Sequence, residues 1–81
     1  MTTSLGDTQI DETILSVAEA SWKKVASIIV RSEEVIFGKL PEDDTLFELI
    51  ASRVEVLVRE GRLVAQGDIK KPRFSEVRKP S

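Results

Sequence analysis

The chain contains no cysteine, no histidine and no tyrosine. Without cysteine it can form neither disulfides nor thiolate metal sites, and a cytoplasmic location is expected. Without histidine and tyrosine it lacks the commonest general base, the commonest zinc ligand and the phenolic acid. We therefore expect a protein that is not an enzyme and that needs no cofactor or metal.

Long apolar runs are also missing. The longest run, residues 28–30, is far too short to span a bilayer, and the start MTTSLGDTQIDE has neither the basic flank nor the apolar core of a signal peptide. The four glycines match neither a phosphate-binding loop nor a dinucleotide fingerprint. These absences predict no membrane contact and leave no small-molecule substrate evident.

The composition is that of one small domain, with 81 residues of which 41% are hydrophobic. Its formal net charge of -2 is unevenly distributed. Residues 1–44 carry four bases and nine acids, whereas residues 45–81 carry eight bases and five acids. Such asymmetry is typical of a basic binding face, and an ordinary solvated surface explains it as well.

Residues 1–9 are polar and show no periodicity, which predicts a flexible N-terminal arm before a single domain over residues 10–78 and a short tail at 79–81. Asp11 is a candidate N-cap for the first helix. The apolar pattern continues to Ile36, but one helix of that length would measure about 39 Å. A domain of this size has a radius of gyration of roughly 12 Å, so the helix is expected to break.

We predict the break near Ala20 and Ser21, with Ser21 capping a second helix that starts at Trp22. At 100° per residue one arc of that helix is apolar and predicted to face the core: Trp22, Val25, Ala26, Ile29 and Val30. Glu33 falls within this arc, so we expect the helix to end or distort near Ser32 to Ile36. Ile28 and Val35 lie on the other, polar side, either as partly covered residues or as a surface for a partner.

Residues 37–44 contain glycine and proline and are predicted to form a loop. Asp43, Asp44 or Thr45 then caps the third helix, with Glu48 at capping-box spacing from Thr45. A wide apolar arc predicts that this helix is the centre of the core: Leu46, Phe47, Leu49, Ile50, Ala51, Val54, Val56, Leu57 and Val58. The residues outside this arc form a narrow, polar and acidic face of the third helix: Asp44, Thr45, Glu48, Ser52, Glu55 and Arg59.

Arg53 is the charged residue inside the apolar arc of the third helix. We interpret it as a structural arginine whose stem packs on the rim of the core and whose head pairs with a carboxylate such as Glu60 or Glu76. A ligand-binding arginine is the alternative.

A two-stranded hairpin is predicted after the third helix. Gly61 can adopt the left-handed conformation that ends a helix, and residues 62–66 alternate as a strand. Gly67 and Asp68 begin a turn, and the return strand covers residues 73–78. Val77 is placed inward, with Phe74 as the competitor, because a shift of one residue would exchange the two.

Three helices followed by this hairpin, with RVEVLVREGRLVAQGD at the junction, resemble the winged helix-turn-helix superfamily over about residues 11–78. The matching positions are Leu57, Glu60, Gly61, Leu63 and Asp68. GRLVAQGD followed by RFSEVR is also similar to a small bacterial domain family of unknown function, often found at the end of a larger protein. The resemblance implies a mainly α, α+β fold in which three helices precede a two-stranded antiparallel wing.

In DNA-binding members of that superfamily the third helix enters the major groove and the wing contacts the backbone. The resemblance therefore implies candidate nucleic-acid contacts at Lys70, Lys71, Arg73, Thr45 and Ser52. The wing is basic as this requires, but Asp44, Glu48 and Glu55 would bring carboxylates to the phosphates. We expect a non-catalytic module that binds another protein or a second copy of itself, with a DNA-binding transcriptional regulator as the alternative.

Overall fold

The computed structural model describes residues 6–38 and 45–80. Its elements, in chain order, are α1 (Asp7–Val17), β1 (Lys23–Lys24), α2 (Val25–Phe37), α3 (Thr45–Arg59), β2 (Val64–Gly67), a 3-10 turn (Pro72–Phe74) and β3 (Ser75–Arg78). The predicted α+β fold with three helices before an antiparallel hairpin is confirmed. A third strand, β1, was not predicted; it pairs with β3, so the order in the sheet is β1-β3-β2.

The first helix begins earlier than predicted. Gly6 is its N-cap, and residues 7–9, assigned from the sequence to the arm, form its first turn. Asp11 therefore lies inside α1 and is buried, so the prediction that it caps the helix was wrong. Its carboxylate binds a side chain of α3 instead of a backbone amide at the helix end.

The predicted break between the first two helices is confirmed, but its cap is not. The chain leaves α1 after Val17, and Lys24 occupies the N-cap of α2 without a side-chain hydrogen bond. Ser21 and Trp22 both precede the helix. The reason is that Lys23 and Lys24 pair with Val77 and Glu76 of β3, which holds this segment extended and delays the start of the helix.

Ile28 is only 1% exposed, so its predicted place on a partner surface was wrong. α2 packs against both α1 and α3, and the two contacts bury Ile28 as well as Val25 and Ile29. Val35 is 62% exposed, as predicted for a residue on the outer side. The predicted partner surface is therefore reduced to Val35.

Of the two outcomes predicted near Ser32 to Ile36, an end or a distortion, the structure has the end: α2 ends at Phe37, one residue beyond that range, with Gly38 as its C-cap. Ser32 is fully buried, and its hydroxyl donates to the carbonyl of Ile28 at 2.8 Å. That bond gives the buried hydroxyl of Ser32 a hydrogen-bond partner within α2. The predicted loop over residues 37–44 falls largely on residues 39–44, which lie outside the described part, as do the proposed caps Asp43 and Asp44.

The prediction that the third helix is the centre of the core was wrong: α2 packs on α1, α3, β1, β3 and the 3-10 turn, whereas α3 packs mainly on α1 and α2. Leu46, Ile50, Val54 and Leu57 are the buried residues of α3. Leu49 is 39% exposed, so the buried arc is narrower than the sequence suggested. Within the described part of the chain the buried core consists of aliphatic side chains: Ile10, Ile14, Ala18, Val25, Ile28, Ile29, Leu46, Ile50, Val54, Leu57, Leu63 and Val77.

The helix end at Gly61 is confirmed. Gly61 has a φ of 78°. Its amide donates to the carbonyl of Val58 at 3.1 Å, and the amide of Arg62 donates to the carbonyl of Leu57 at 2.9 Å. This pair of bonds closes the last turn of α3 and directs Leu63 into the core.

Val77 is fully buried and Phe74 is 75% exposed, so the predicted inward register of the return strand is confirmed. β3 is shorter than predicted because residues 72–74 form the 3-10 turn, which places Arg73 before the strand. The amide of Lys79 donates to the carbonyl of Glu19 at 2.8 Å, joining the end of β3 to the α1–β1 connection. Among the described helices none is long and apolar enough to cross a membrane.

Candidate interaction surface

A shallow groove of about 470 Å³ separates the first turn of α3 from the connection between β2 and β3. We call it the wing groove, and its lining is part aromatic and part charged: Phe47, Glu48, Lys71, Pro72, Arg73 and Phe74. Two of the predicted nucleic-acid contacts, Lys71 and Arg73, therefore lie together in it. Lys70, Thr45 and Ser52 are exposed but do not line it.

The connection between β2 and β3, residues 68–74, is held by its own hydrogen bonds, and we call it the wing turn. Asp68 accepts the amide of Lys70 on its side chain at 3.1 Å and the amide of Lys71 on its carbonyl at 2.8 Å. The carbonyl of Lys71 accepts the amide of Phe74 at 2.8 Å and the hydroxyl of buried Ser75 at 3.0 Å. The exposed position of Phe74 is therefore fixed by backbone geometry.

The bases of the wing turn form no ion pair within the described residues. Salt bridges there, defined by nitrogen–oxygen distances up to 4.0 Å, involve only Lys23 with Glu19 and Arg53 with Asp7 and Asp11. The groove therefore has two basic side chains, Lys71 and Arg73, on one wall and the acidic side chain of Glu48 on the other.

Glu48 also belongs to a second feature, which lies on the outside of α3. Glu48, Ser52 and Glu55 recur at helical spacing and form what we call the acidic strip. The hydroxyl of Ser52 donates to the carbonyl of Leu49 at 2.8 Å, and Leu49 lies beside the strip as a partly exposed apolar side chain. From the wing turn to Leu49 the surface therefore changes from basic and aromatic to acidic and then apolar.

A second hollow lies on the outer face of α2 and is lined by Lys23, Ala26, Ser27, Val30 and Arg31. Lys23 is 3.4 Å from the carboxylate of Glu19 four residues earlier, an exposed pair of small energetic value. The hollow has no exposed aromatic side chain, since the only large apolar residues exposed in the described part are Val35, Leu49 and Phe74.

Arg53 joins α3 to α1. Its Nε and Nη2 donate to the two carboxylate oxygens of Asp11 at 2.9 and 2.8 Å, and Nη1 lies 3.5 Å from Asp7. The predicted partners were wrong: Glu76 instead accepts a bond from Gln66 at 2.6 Å, and Glu60 forms no hydrogen bond to Arg53.

The bidentate hydrogen bond from Arg53 lowers the pKa of Asp11, although burial acts in the opposite direction. The same bond raises the pKa of Arg53 further above its usual value. With 19% of its side chain exposed, Arg53 is engaged within the fold and stands apart from the wing groove.

Trp22 makes a contact that could not be predicted from the sequence. The guanidinium carbon of Arg78 lies 5.1 Å from the centre of its ring, within the range of a cation–π interaction. The contact depends on the pairing of β1 with β3, so it could have been predicted only if the third strand were known. The exposure of Phe74 and its proximity to Phe47 likewise depend on the wing turn, and only the alternation of residues 73–78 hinted at it.

No cluster of acidic side chains suited to a metal ion occurs within residues 6–38 and 45–80. No protein-family model matches the chain, and no curated protein or solved structure matches it either. What the coordinates establish is three helices followed by a small antiparallel sheet, an order compatible with a winged-helix-like fold.

Proposed function

We propose that the chain is a non-catalytic winged-helix module that binds another protein chain through the wing groove. The observation that supports this most directly is the exposure of Phe74, which lies next to Arg73 on a turn held by hydrogen bonds. Aromatic residues and arginine are the side chains that most often dominate the energy of protein interfaces.

Phe74 has the most apolar surface for a partner to bury, because its side chain cannot fold inward. Val77 occupies the inward position of β3, and the bond from the Phe74 amide to Lys71 fixes the backbone direction. Burying a phenylalanine side chain contributes about 1.5–3 kcal/mol. A protein partner that covers Phe74 would recover that free energy and would also cover the half-buried Phe47 beside it.

The charges of the groove favour a protein over a nucleic acid. A protein surface can present carboxylates to Lys71 and Arg73 and a donor to Glu48, whereas a phosphate backbone presents only negative charge. The acidic strip extends that repulsion along α3, at Glu48 and Glu55. A partner with both signs of charge therefore fits the groove better than a polyanion.

Photocrosslinking in cells that make the protein tests this proposal. A photoreactive benzoyl-phenylalanine in place of Phe74 is compared with the same group in place of Glu12, an exposed residue of α1 that does not line the groove. We expect a protein adduct from position 74 that is absent from position 12. The same probe combined with Arg73→Glu should lose that adduct.

An adduct at position 74 that is removed by nuclease and not by protease would overturn the proposal. So would a protein adduct that is equally strong at both positions, because it would report collisions and not a site. Thermal unfolding of each variant checks that the probe leaves the fold intact, as expected for exposed side chains.

DNA binding by the wing is the second candidate, and the observation that favours it is that Lys70, Lys71 and Arg73 are exposed and form no salt bridge with any other described residue. Isotope-labelled protein is titrated with duplex DNA at low and at moderate salt. The amides of these three residues should shift first, and Glu48→Gln should strengthen binding by removing a repulsive charge. No shift at low salt excludes this candidate, since nonspecific phosphate binding is strongest there.

A further inference from the structure

We infer that the wing groove binds a second copy of this chain, in a two-fold symmetric dimer in which each wing turn lies on the acidic strip of the other protomer. This inference rests on the proposed function, because it names the partner of the same groove.

The charges of the surface are complementary to each other. One side carries Lys71 and Arg73, and the other carries Glu48 and Glu55. A two-fold axis through a surface divided in this way places each basic side on the partner's acidic side, since an isologous interface uses the same patch twice. Two such contacts form at once, and both are attractive.

Among the described residues the same charges form no salt bridge within one molecule. Across the groove neither Lys71 nor Arg73 reaches Glu48 within the 4.0 Å of a salt bridge. The backbone of the wing turn is held by the two bonds that the carbonyl of Lys71 accepts, from the amide of Phe74 and from the hydroxyl of Ser75. A second molecule inserted at the groove can supply each side chain with an opposite charge.

Apolar side chains occupy matching places in this arrangement. Phe74 is on the basic side, and Leu49 lies beside the acidic strip, with 75% and 39% of their surfaces exposed. When the wing turn of one protomer lies on the strip of the other, Phe74 of each can cover Leu49 of its partner. An apolar contact surrounded by charged pairs is the usual arrangement of a protein interface.

Sedimentation of the natural sequence is the first measurement. We expect the mean mass to rise from monomer toward dimer between about 10 μM and about 1 mM, the range of a weak and small interface. Added salt should shift the rise to higher concentration, because exposed charges are screened. A monomer over the whole range would overturn the inference.

Charge exchange provides the decisive test. The wing variant carries Lys71→Glu and Arg73→Glu, and the strip variant carries Glu48→Lys and Glu55→Lys. Each variant alone opposes like charges at both contacts of the dimer and should remain monomeric. Mixed in equal amounts they restore opposite charges at both contacts, so the mixture should form a heterodimer of twice the monomer mass.

A single chain with all four substitutions reverses both sides and should form homodimers again. This variant guards against loss of folding, because a chain whose surface had merely been damaged would not recover its dimer. Dimerisation of either two-residue variant alone, or a mixture that stays monomeric while the natural sequence dimerises, would overturn the inference.

Failure of this inference differs from failure of the proposed function. If the natural sequence is monomeric but position 74 crosslinks a different protein, the groove binds protein and the second copy is excluded. If position 74 yields only nucleic-acid adducts, both are excluded. An adduct of twice the monomer mass that disappears in the wing variant agrees with both.

Discussion

Replacing Gly67 by alanine is predicted to destabilise the protein more than the same replacement at Gly61. Both glycines have a left-handed backbone, with φ values of 83° and 78°. A Cβ atom at Gly61 would have no neighbour within 4 Å. At Gly67 it would overlap the carbonyl oxygen of Phe74 and lie 3.1 Å from the Cα of Ser75, both of them backbone atoms that have little freedom to move.

The two costs can be estimated separately. The left-handed conformation costs an L-residue about 1–2 kcal/mol, and the reduced freedom of the unfolded chain returns about 0.4–1 kcal/mol. Gly61→Ala should therefore lower the free energy of unfolding by about 1 kcal/mol. Gly67→Ala adds the overlap with Phe74, for which overpacking values of about 1–3 kcal/mol apply, and should cost about 2–4 kcal/mol.

Urea unfolding measures the difference, with the fluorescence of the single tryptophan and far-ultraviolet circular dichroism as probes. A difference of 1 kcal/mol corresponds to about 4–8 °C in the thermal midpoint of a domain this small. Equal losses at Gly67 and Gly61 would refute the close approach between β2 and the wing turn. Because Gly67 pairs with Ser75 next to Phe74, its substitution should also weaken binding at the wing groove.

Three further predictions concern the core, the ion pair and the tryptophan. Val77→Ala should lower the free energy of unfolding by about 2 kcal/mol, whereas Phe74→Ala should change it by less than about 0.5 kcal/mol in urea unfolding. The folded state lowers the pKa of Asp11, so its carboxylate stabilises the fold above the ordinary aspartate pKa, and this contribution is lost as the pH falls through the lower folded value. Asp11→Asn should reduce the thermal midpoint at neutral pH and flatten its decline below about pH 4, while Asp7→Asn, at an exposed carboxylate, should leave that decline in place. Arg78→Gln should alter the tryptophan fluorescence and cost about 0.5–1 kcal/mol in urea unfolding, and unchanged emission would contradict the ring contact.

Sequence patterns were sufficient to predict the features that depend only on neighbouring residues. The end of α3 follows from one glycine and the two bonds it permits, and the inward place of Val77 follows from alternation along a short strand. The break after α1 followed from length alone. In each case the deciding residues lie within a few positions of one another, so the sequence contains the necessary information.

Pairings between distant segments were not predictable in the same way. Lys23 and Lys24 form a strand only because β3 lies beside them, and nothing in the two residues themselves indicates it. Arg53 was expected to find a carboxylate, but its partner Asp11 lies 42 positions earlier, and the choice depends on how α1 crosses α3. Ile28 was misplaced because its burial depends on which side of α2 its two neighbouring helices cover.

The wing groove could not be predicted from the sequence for the same reason, because it too depends on contacts between distant segments. The resemblance to winged helices indicated Lys71 and Arg73, but the groove exists because the 3-10 turn brings them opposite Glu48 and turns Phe74 outward. A list of bases on a wing suggests a polyanion as the partner. Glu48 across the groove weighs against a polyanion, as the acidic third helix already did in the sequence, because a ligand there would have to satisfy charges of both signs.

α3 determines which ligands can meet that requirement. Its inner side is fixed by the core and by Arg53, so the helix cannot rotate to withdraw Glu48 from the groove without breaking the bidentate pair with Asp11. The wing turn is fixed equally by its own hydrogen bonds. With both walls held in place, the groove keeps its opposed charges, and the selectivity that we propose for a partner of mixed charge would follow from the rigidity of the fold and not from the net charge of the chain.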